Sequence, residues 1–211
     1  MDEHLKWKFI SDTVVKRDQW VHLRAGRWLL PNGREIAPYY VYRSRSFIVT
    51  VAIGADGNYI LVRQFRPGIG DVTTEFPAGA MEDGEDPEEA ARRELLEETG
   101  ASAERWTFLG RIAPNATIAG NYAYIFLAEG CRKTDTQHLD ETECMDPVRL
   151  SPEELRRMIR EGAFVQAVHV AAYYMAEARI REREAPEGSA VPEGSEAPDG
   201  SAAPEGSAAP E

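Results

Sequence analysis

The stretch from Gly79 to Ala101, GAMEDGEDPEEAARRELLEETGA, constrains this chain more than any other. It reads as a helix with its own start and stop. Asp86 suits the N-cap, Pro87 the first helical position, and Glu89 the third, a capping-box place. Gly100 supplies the left-handed residue that ends it. Inside the helix Glu94, Glu97 and Glu98 stand at i, i+3 and i+4, so three carboxylates share one face within a turn. Ala91, Leu95 and Thr99 point the other way and are expected to be buried. Three like charges this close raise one another's pKa unless a cation compensates them. Such oxygen ligands suit a hard divalent ion, Mg²⁺ above all. A plain solvated helix face would account for the charges but not for the glycine-rich lead-in or the glycine stop.

The segment resembles the Nudix box, G-x5-E-x7-R-E-U-x-E-E-x-G-U with U a bulky aliphatic residue. Gly79, Glu85, Arg93, Glu94, Leu95, Glu97, Glu98 and Gly100 match it, and Ala101 is smaller than the residue usual at the last place. The resemblance covers roughly Phe47 to Arg183. It implies an α/β fold, a Nudix α/β/α sandwich with a mixed sheet. It also implies Mg²⁺-dependent hydrolysis (Mn²⁺ being possible) of a nucleoside diphosphate linked to another moiety. By the same resemblance Glu94 and Glu98 are the principal metal ligands, Glu97 belongs to their cluster, and the backbone carbonyl of Ala78 is a further ligand. Arg93 would orient the carboxylates; it also lies four residues before Glu97, an ion-pair spacing.

The net charge of −12 argues against a general nucleic-acid or anionic-membrane partner. Half of it sits in residues 185–211, which hold six acids and no Lys or Arg. That segment repeats APEGSA-like units with a proline every sixth residue, so it cannot form a core and is expected to be a disordered acidic tail. Cys131 and Cys144 lack metal-binding spacing and read as reduced thiols of a cytoplasmic protein. There is no secretory leader pattern and no run of transmembrane length.

Along the chain, Lys8 to Val15 reads as extended. Val21–Leu30 and Glu35–Arg43 flank Pro31-Asn32-Gly33, a turn signal, so residues 1–46 form a small N-terminal β unit. A core domain over 47–184 follows. It opens with Phe47–Ile53, apolar as a central strand should be, and with Tyr59–Phe65 across a Gly-Ala-Asp-Gly turn. Trp106–Ile112 and Tyr122–Ala128 read as strands, Glu129–Asp146 as a polar loop, and Val148–Leu150 as a short strand. Ser151-Pro152-Glu153-Glu154 starts a helix that Gly162 ends. A last helix runs from about Val165 to Arg183 with an apolar stripe of Ala167, Val170, Ala171, Tyr174 and Ala178. His169 reads as a packed or solvent-edge histidine rather than a ligand.

The front half is similar to the ADP-ribose pyrophosphatases: a β-rich N-terminal unit, then VRQFRP, then EFPAG running into the box. This resemblance implies a homodimer in which the N-terminal unit helps to line the site for a small nucleotide substrate. It implies that Arg66 contacts a phosphate; a plain surface arginine is the alternative. Pro114, 14 residues after Gly100, stands near the place of a proline that marks ADP-ribose specificity. On the loop before the last strand, Glu141 takes the place of the general base and Glu143 that of an accessory metal ligand, with Asp140 as a rival. The alternatives are a Nudix hydrolase for another sugar nucleotide such as GDP-mannose, and a non-catalytic nucleotide-sugar sensor. The intact box and the lack of a basic helix-turn-helix segment weigh against the sensor.

Overall fold

The computed structural model describes residues 2–184, and the repeat tail expected to be disordered lies outside the described residues. Two compact units divide the chain. Of the described residues, 2–46 together with 113–122 form one, and 47–112 with 123–184 form the other.

In the first unit, strands β1 (Lys8–Arg17), β2 (His22–Leu29) and β3 (Glu35–Tyr42) make an antiparallel sheet in that order. The β2–β3 turn uses the residues that suggested it. Gly33 has φ 80° and donates to the Leu30 carbonyl, and Asn32 Oδ1 accepts from the Arg34 amide. The 113–122 segment is tied to β3 by the Tyr39 hydroxyl on the Thr117 carbonyl and the Tyr42 amide on the Ile118 carbonyl.

The second unit is built on β4 (Phe47–Gly54), in which Ile48 through Ala52 are all buried, as a strand covered on both faces requires. β5 (Tyr59–Arg66) pairs antiparallel with β4 across the Gly57 turn. β6 (Asp71–Glu75) folds back on β5, and β7 (Ala78–Ala80) pairs with β4. Helix α1 (Pro87–Thr99) leads through the two-residue strand β8 (Ala101–Ser102) to β9 (Arg105–Ile112) and β10 (Ala123–Lys133). β10 runs parallel to β4 and antiparallel to β9, so the sheet is mixed. β11 (Met145–Leu150) closes the other edge on β5. Helices α2 (Pro152–Arg160) and α3 (Ala167–Glu184) complete the chain.

The sheet separates two apolar layers. Val49, Val51, Leu61, Phe76, Ile125 and Leu127 pack with Leu155 of α2 and with Ala172, Tyr173 and Ala176 of α3. Ala90, Ala91 and Leu95 of α1 cover Ile48, Ala52, Ile60, Phe126 and Ala128. Ala101, the short residue at the end of the box, is buried beside Leu95 and Cys131. Helices thus flank a mixed sheet, the α/β/α arrangement expected. Among the described residues no helix is long and apolar enough to cross a membrane.

Several details differ from the sequence reading. β6, β7 and β8 had no expected counterpart, and β11 begins at Met145 where a loop was expected to Asp146. β10 continues to Lys133, where a loop was expected from Glu129. The buried stripe of α3 is His169, Ala172, Tyr173 and Ala176, while Tyr174 is 57% exposed and Ala167 and Ala178 face solvent. The buried stripe is displaced by two positions, which brings the polar His169 and Tyr173 inward. His169 accepts the Phe76 amide, and the Tyr173 hydroxyl takes a hydrogen bond from Arg156.

Candidate active site

The start of α1 follows from its sequence: the Asp86 carboxylate accepts the amides of Glu88 and Glu89, and Pro87 occupies the first turn. At the other end Gly100 adopts φ 68° and its amide closes on the Leu96 carbonyl. This register turns Ala91, Leu95 and Thr99 inward as expected, and it also buries Glu94 (7% exposed) and Glu98 (2% exposed).

β7 runs against this acidic face. The Ala78 amide donates to Glu98 Oε2 at 3.1 Å, the one hydrogen bond the Glu98 carboxylate receives from a described residue. Beside it Gly79 lies so close to the Glu94 carboxylate that a Cβ there would fall within it. Burial pushes the Glu98 carboxyl well above the usual range, and the charge of Glu94 adds to that push. Glu94 is also raised by burial, which outweighs the pull of Arg93.

Arg93 gathers the rest of the box. Its Nε and Nη2 donate to the two oxygens of Glu85 at 2.9 and 3.1 Å, and Nη2 reaches the Ala80 carbonyl at 3.3 Å. Nη1 is shared between Glu94 Oε1 at 2.8 Å and Glu97 Oε2 at 3.0 Å. The ion pair expected from spacing is therefore present, within a larger network. Bonding to Arg93 draws the Glu85 carboxyl below its ordinary range.

The loop 134–144 is fastened to the end of α1. The Thr134 and Asp135 amides donate to the Gly100 carbonyl, the Gln137 amide group to the Glu98 carbonyl at 2.8 Å, and the His138 amide to the Glu97 carbonyl. Carbonyls that a helix end leaves without partners are thus satisfied. Gln137 and His138 were not singled out in the sequence, where they look like ordinary polar loop residues. Asp140 and Glu143 close a turn, the Glu143 amide on the Asp140 carbonyl and the Asp140 amide on Glu143 Oε2. Among the loop acids it is Glu143, ahead of Glu141 and Asp140, whose charge bears on both Glu94 and Glu98. Glu141 is exposed in the same loop.

Arg66, at the end of β5, is held by Glu75 of β6: Nε to Oε1 at 2.8 Å and Nη2 to Oε2 at 2.5 Å. It also bears on Glu98 and Glu143. Glu75 was missed in the sequence, where nothing in DVTTE marks a strand with a buried polar side.

The NUDIX domain pattern matches residues 43–172. The chain belongs to the Nudix family. This Nudix protein is 32% identical to a methanol dehydrogenase activator of Bacillus methanolicus over 73% of its own length and 86% of that protein. It is 30% identical to an ADP-ribose pyrophosphatase of Bacillus subtilis (62% and 70%) and 27% identical to one of Mycobacterium tuberculosis (84% and 86%). A crystal structure of an ADP compounds hydrolase superposes with TM-score 0.76 at 24% identity, over 84% of this chain and 96% of that one, and carries the fold. The protein is thus a Nudix hydrolase similar to ADP-ribose pyrophosphatases.

Nudix hydrolases work with a divalent metal ion. Among the described residues no group of three or more His, Cys, Asp or Glu is gathered as a ready-made metal site. One oxygen each of Glu94 and Glu97 is engaged by Arg93. The donor set fits a hard cation nonetheless: Glu98 is a buried carboxylate with one hydrogen bond and a like charge beside it, which a divalent ion between oxygens would relieve.

Proposed function

We propose that this Nudix hydrolase cleaves the pyrophosphate of ADP-ribose or a related nucleoside diphosphate sugar, giving a nucleoside monophosphate and a sugar phosphate. The observation that carries the reading is the buried carboxylate pair Glu94 and Glu98 beside the Ala78–Ala80 strand, where Arg93 pairs with Glu94 and the charge of Glu94 bears on Glu98. The relatives named ADP-ribose pyrophosphatases support the substrate class.

Glu94 and Glu98, with Glu97, the Ala78 carbonyl and Glu143, would hold Mg²⁺, or Mn²⁺ in its place. When bound, the ion supplies positive charge for the pyrophosphate oxygens and eases ionisation of the attacking water. Arg93 fixes the carboxylate rotamers through its shared Nη1. Glu141 would take the proton of the attacking water, as a general base within one loop of the metal-binding helix. Arg66 would contact a substrate phosphate through the nitrogen that Glu75 does not use. A cytoplasmic homodimer is part of the same proposal.

The test is turnover of ADP-ribose, GDP-mannose, UDP-glucose, NADH and diadenosine polyphosphates with Mg²⁺, read as phosphate after alkaline phosphatase treatment. Preference for ADP-ribose is expected. Glu98→Gln should nearly abolish turnover and keep the melting temperature at or above that of the wild type, because it removes a buried like charge. An unimpaired Glu98→Gln enzyme would sink the metal assignment.

A further inference from the structure

Glu75 has a fully buried side chain, yet it faces a guanidinium, a hydroxyl and an imidazole instead of the apolar partners of its neighbour Phe76. Its oxygens accept Arg66 Nε at 2.8 Å and Nη2 at 2.5 Å, the Thr73 hydroxyl, and Gln64 Nε2 at 3.5 Å. His169 of α3 approaches from the other side, with Nε2 3.7 Å from Glu75 Oε2. The ring of His169 is fixed twice. Its Nδ1 accepts the Phe76 amide at 3.1 Å, and it stacks on the Phe76 ring at 6.4 Å with Phe164 edge-on at 6.3 Å. Because Nδ1 accepts, the proton of the neutral ring lies on Nε2, on the side of Glu75. Burial holds the imidazole at a pKa of about 4, so this neutral form persists at neutral pH.

As a stabilising device the arrangement is poor. A buried ion pair recovers little more than its desolvation cost, and apolar residues of equal volume often serve a fold better. It is effective at something else. With Nε and Nη2 committed to Glu75, Arg66 cannot rotate its guanidinium, and among the described residues Nη1 makes no hydrogen bond. The same guanidinium bears electrostatically on Glu98 and Glu143.

We propose that Glu75 and His169 are positioning residues that fix the Arg66 guanidinium with Nη1 presented to a phosphate oxygen of the substrate. Glu75 sets two of the three nitrogens. His169 anchors the chain at Phe76 and so sets where Glu75 can sit, which links α3 to a substrate contact on the far strand. This rests on the reading of the chain as a nucleoside diphosphate sugar hydrolase with Arg66 on a phosphate.

The deciding experiment is a double-mutant cycle on the full chain with Mg²⁺ and ADP-ribose, using Arg66→Ala, Glu75→Gln and the pair, with melting curves for each. Loss of a well-placed charged hydrogen bond corresponds to roughly a ten- to hundred-fold rise in KM. Glu75→Gln should raise KM in that range with kcat within about threefold, the pattern of lost uniform binding. In the Arg66→Ala background it should raise KM no further. His169→Leu should raise KM as well, and His169→Asn, whose Oδ1 can replace Nδ1 as acceptor for the Phe76 amide, should restore most of it. As a substrate-free readout, the Arg66 Nε–H resonance should be sharp and protected from exchange in the wild type and lose that protection in Glu75→Gln. Additive KM effects of Glu75→Gln and Arg66→Ala, or His169→Leu and His169→Asn alike in KM and differing only in melting temperature, would make the network merely structural and overturn the proposal. A wild type that turns over no nucleotide sugar overturns instead the reading beneath it. An active wild type with an unchanged KM in Glu75→Gln overturns this inference alone.

Discussion

Replacing Gly79 with alanine adds one methyl group at the most crowded point of the candidate site. The backbone there lies outside the left-handed region, so the substitution brings no conformational strain of its own. The cost comes from space. The three atoms nearest to the added carbon all belong to the Glu94 carboxyl group, and all lie far inside the ~3.5–4 Å of an ordinary contact. β7 cannot back away, because Gly79 pairs with Ile48 and Ala78 with Val49 of the central strand. Glu94 must therefore move by more than about 1 Å, which breaks its 2.8 Å bond with Arg93 and pulls it from any ion shared with Glu98. A displacement of that size in catalytic machinery costs about a hundred-fold in rate. The fold should suffer less, by about 1–2 kcal/mol, because an overpacked carboxylate that keeps a partly open side can swing outward. At 2–4 °C per kcal/mol for a domain of this size, the melting temperature should fall by roughly 2–8 °C. Steady-state kinetics with ADP-ribose and Mg²⁺, beside a thermal melt, give both numbers. A Gly79→Ala enzyme with kcat within about threefold of wild type and an unchanged melt would refute the close-approach reasoning.

Two further outcomes follow from the loop acids and from the far end of α3. Glu141→Gln should lower kcat by about a hundred-fold or more at saturating Mg²⁺ if it is the base. Glu143→Gln should chiefly raise the Mg²⁺ concentration needed for half-maximal rate, and the reverse order would exchange the two roles. Glu129 accepts two hydrogen bonds from Arg183 and one from Arg105, all at 2.8 Å, and the Arg183 bonds above all hold its carboxyl down at about 2. A depressed folded pKa stabilises above the unfolded value of ~4.3 and is lost as pH falls toward 2. Denaturant titrations of wild type and Glu129→Gln should thus differ by about 1–2 kcal/mol at pH 6, after discount for the exposed arginines, and converge by about pH 2–3. A pH-independent difference would count against the ion-pair account.

The box helix was legible because every signal in it is local. Asp86, Pro87 and Gly100 act within one or two turns, and the structure uses each of them, while the i and i+4 glutamates, Glu94 and Glu98, are buried on one face. The hairpin at Pro31-Asn32-Gly33 and the capping box at Ser151 and Glu154 were legible for the same reason. What escaped was set by partners far away in sequence. β6 reads as polar DVTTE, but Glu75 is buried where Arg66 and His169 meet it, 9 and 94 residues away along the chain, and Thr73 is buried with its hydroxyl on Glu75. The α3 stripe was misplaced because periodicity counts alanine and tyrosine as apolar and histidine as polar. Here the Phe76 amide, left without a strand partner, draws the histidine inward. Gln137 and His138 look like any loop residues until the last carbonyls of α1 are seen to end on them.

The charges around the box make one more step necessary. Arg93 is encircled by Glu85, Glu94 and Glu97, and Arg66 is neutralised by Glu75, so neither nearby arginine offers an uncompensated positive charge. Glu143, and Glu98 once ionised, add negative charge with no arginine of their own at ion-pair distance among the described residues. A pyrophosphate brought to these groups alone would meet net repulsion, in a chain that is itself strongly acidic. On the proposal above the arginines would serve as geometric devices: Arg93 would hold the carboxylate rotamers and Arg66 would present its Nη1 amino group. On the proposed reading most of the attraction for the substrate would come from the cation that the carboxylates would hold, with the Arg66 contact adding to it. Affinity for the nucleotide and affinity for the metal are then coupled, and by linkage each must strengthen the other by the same factor.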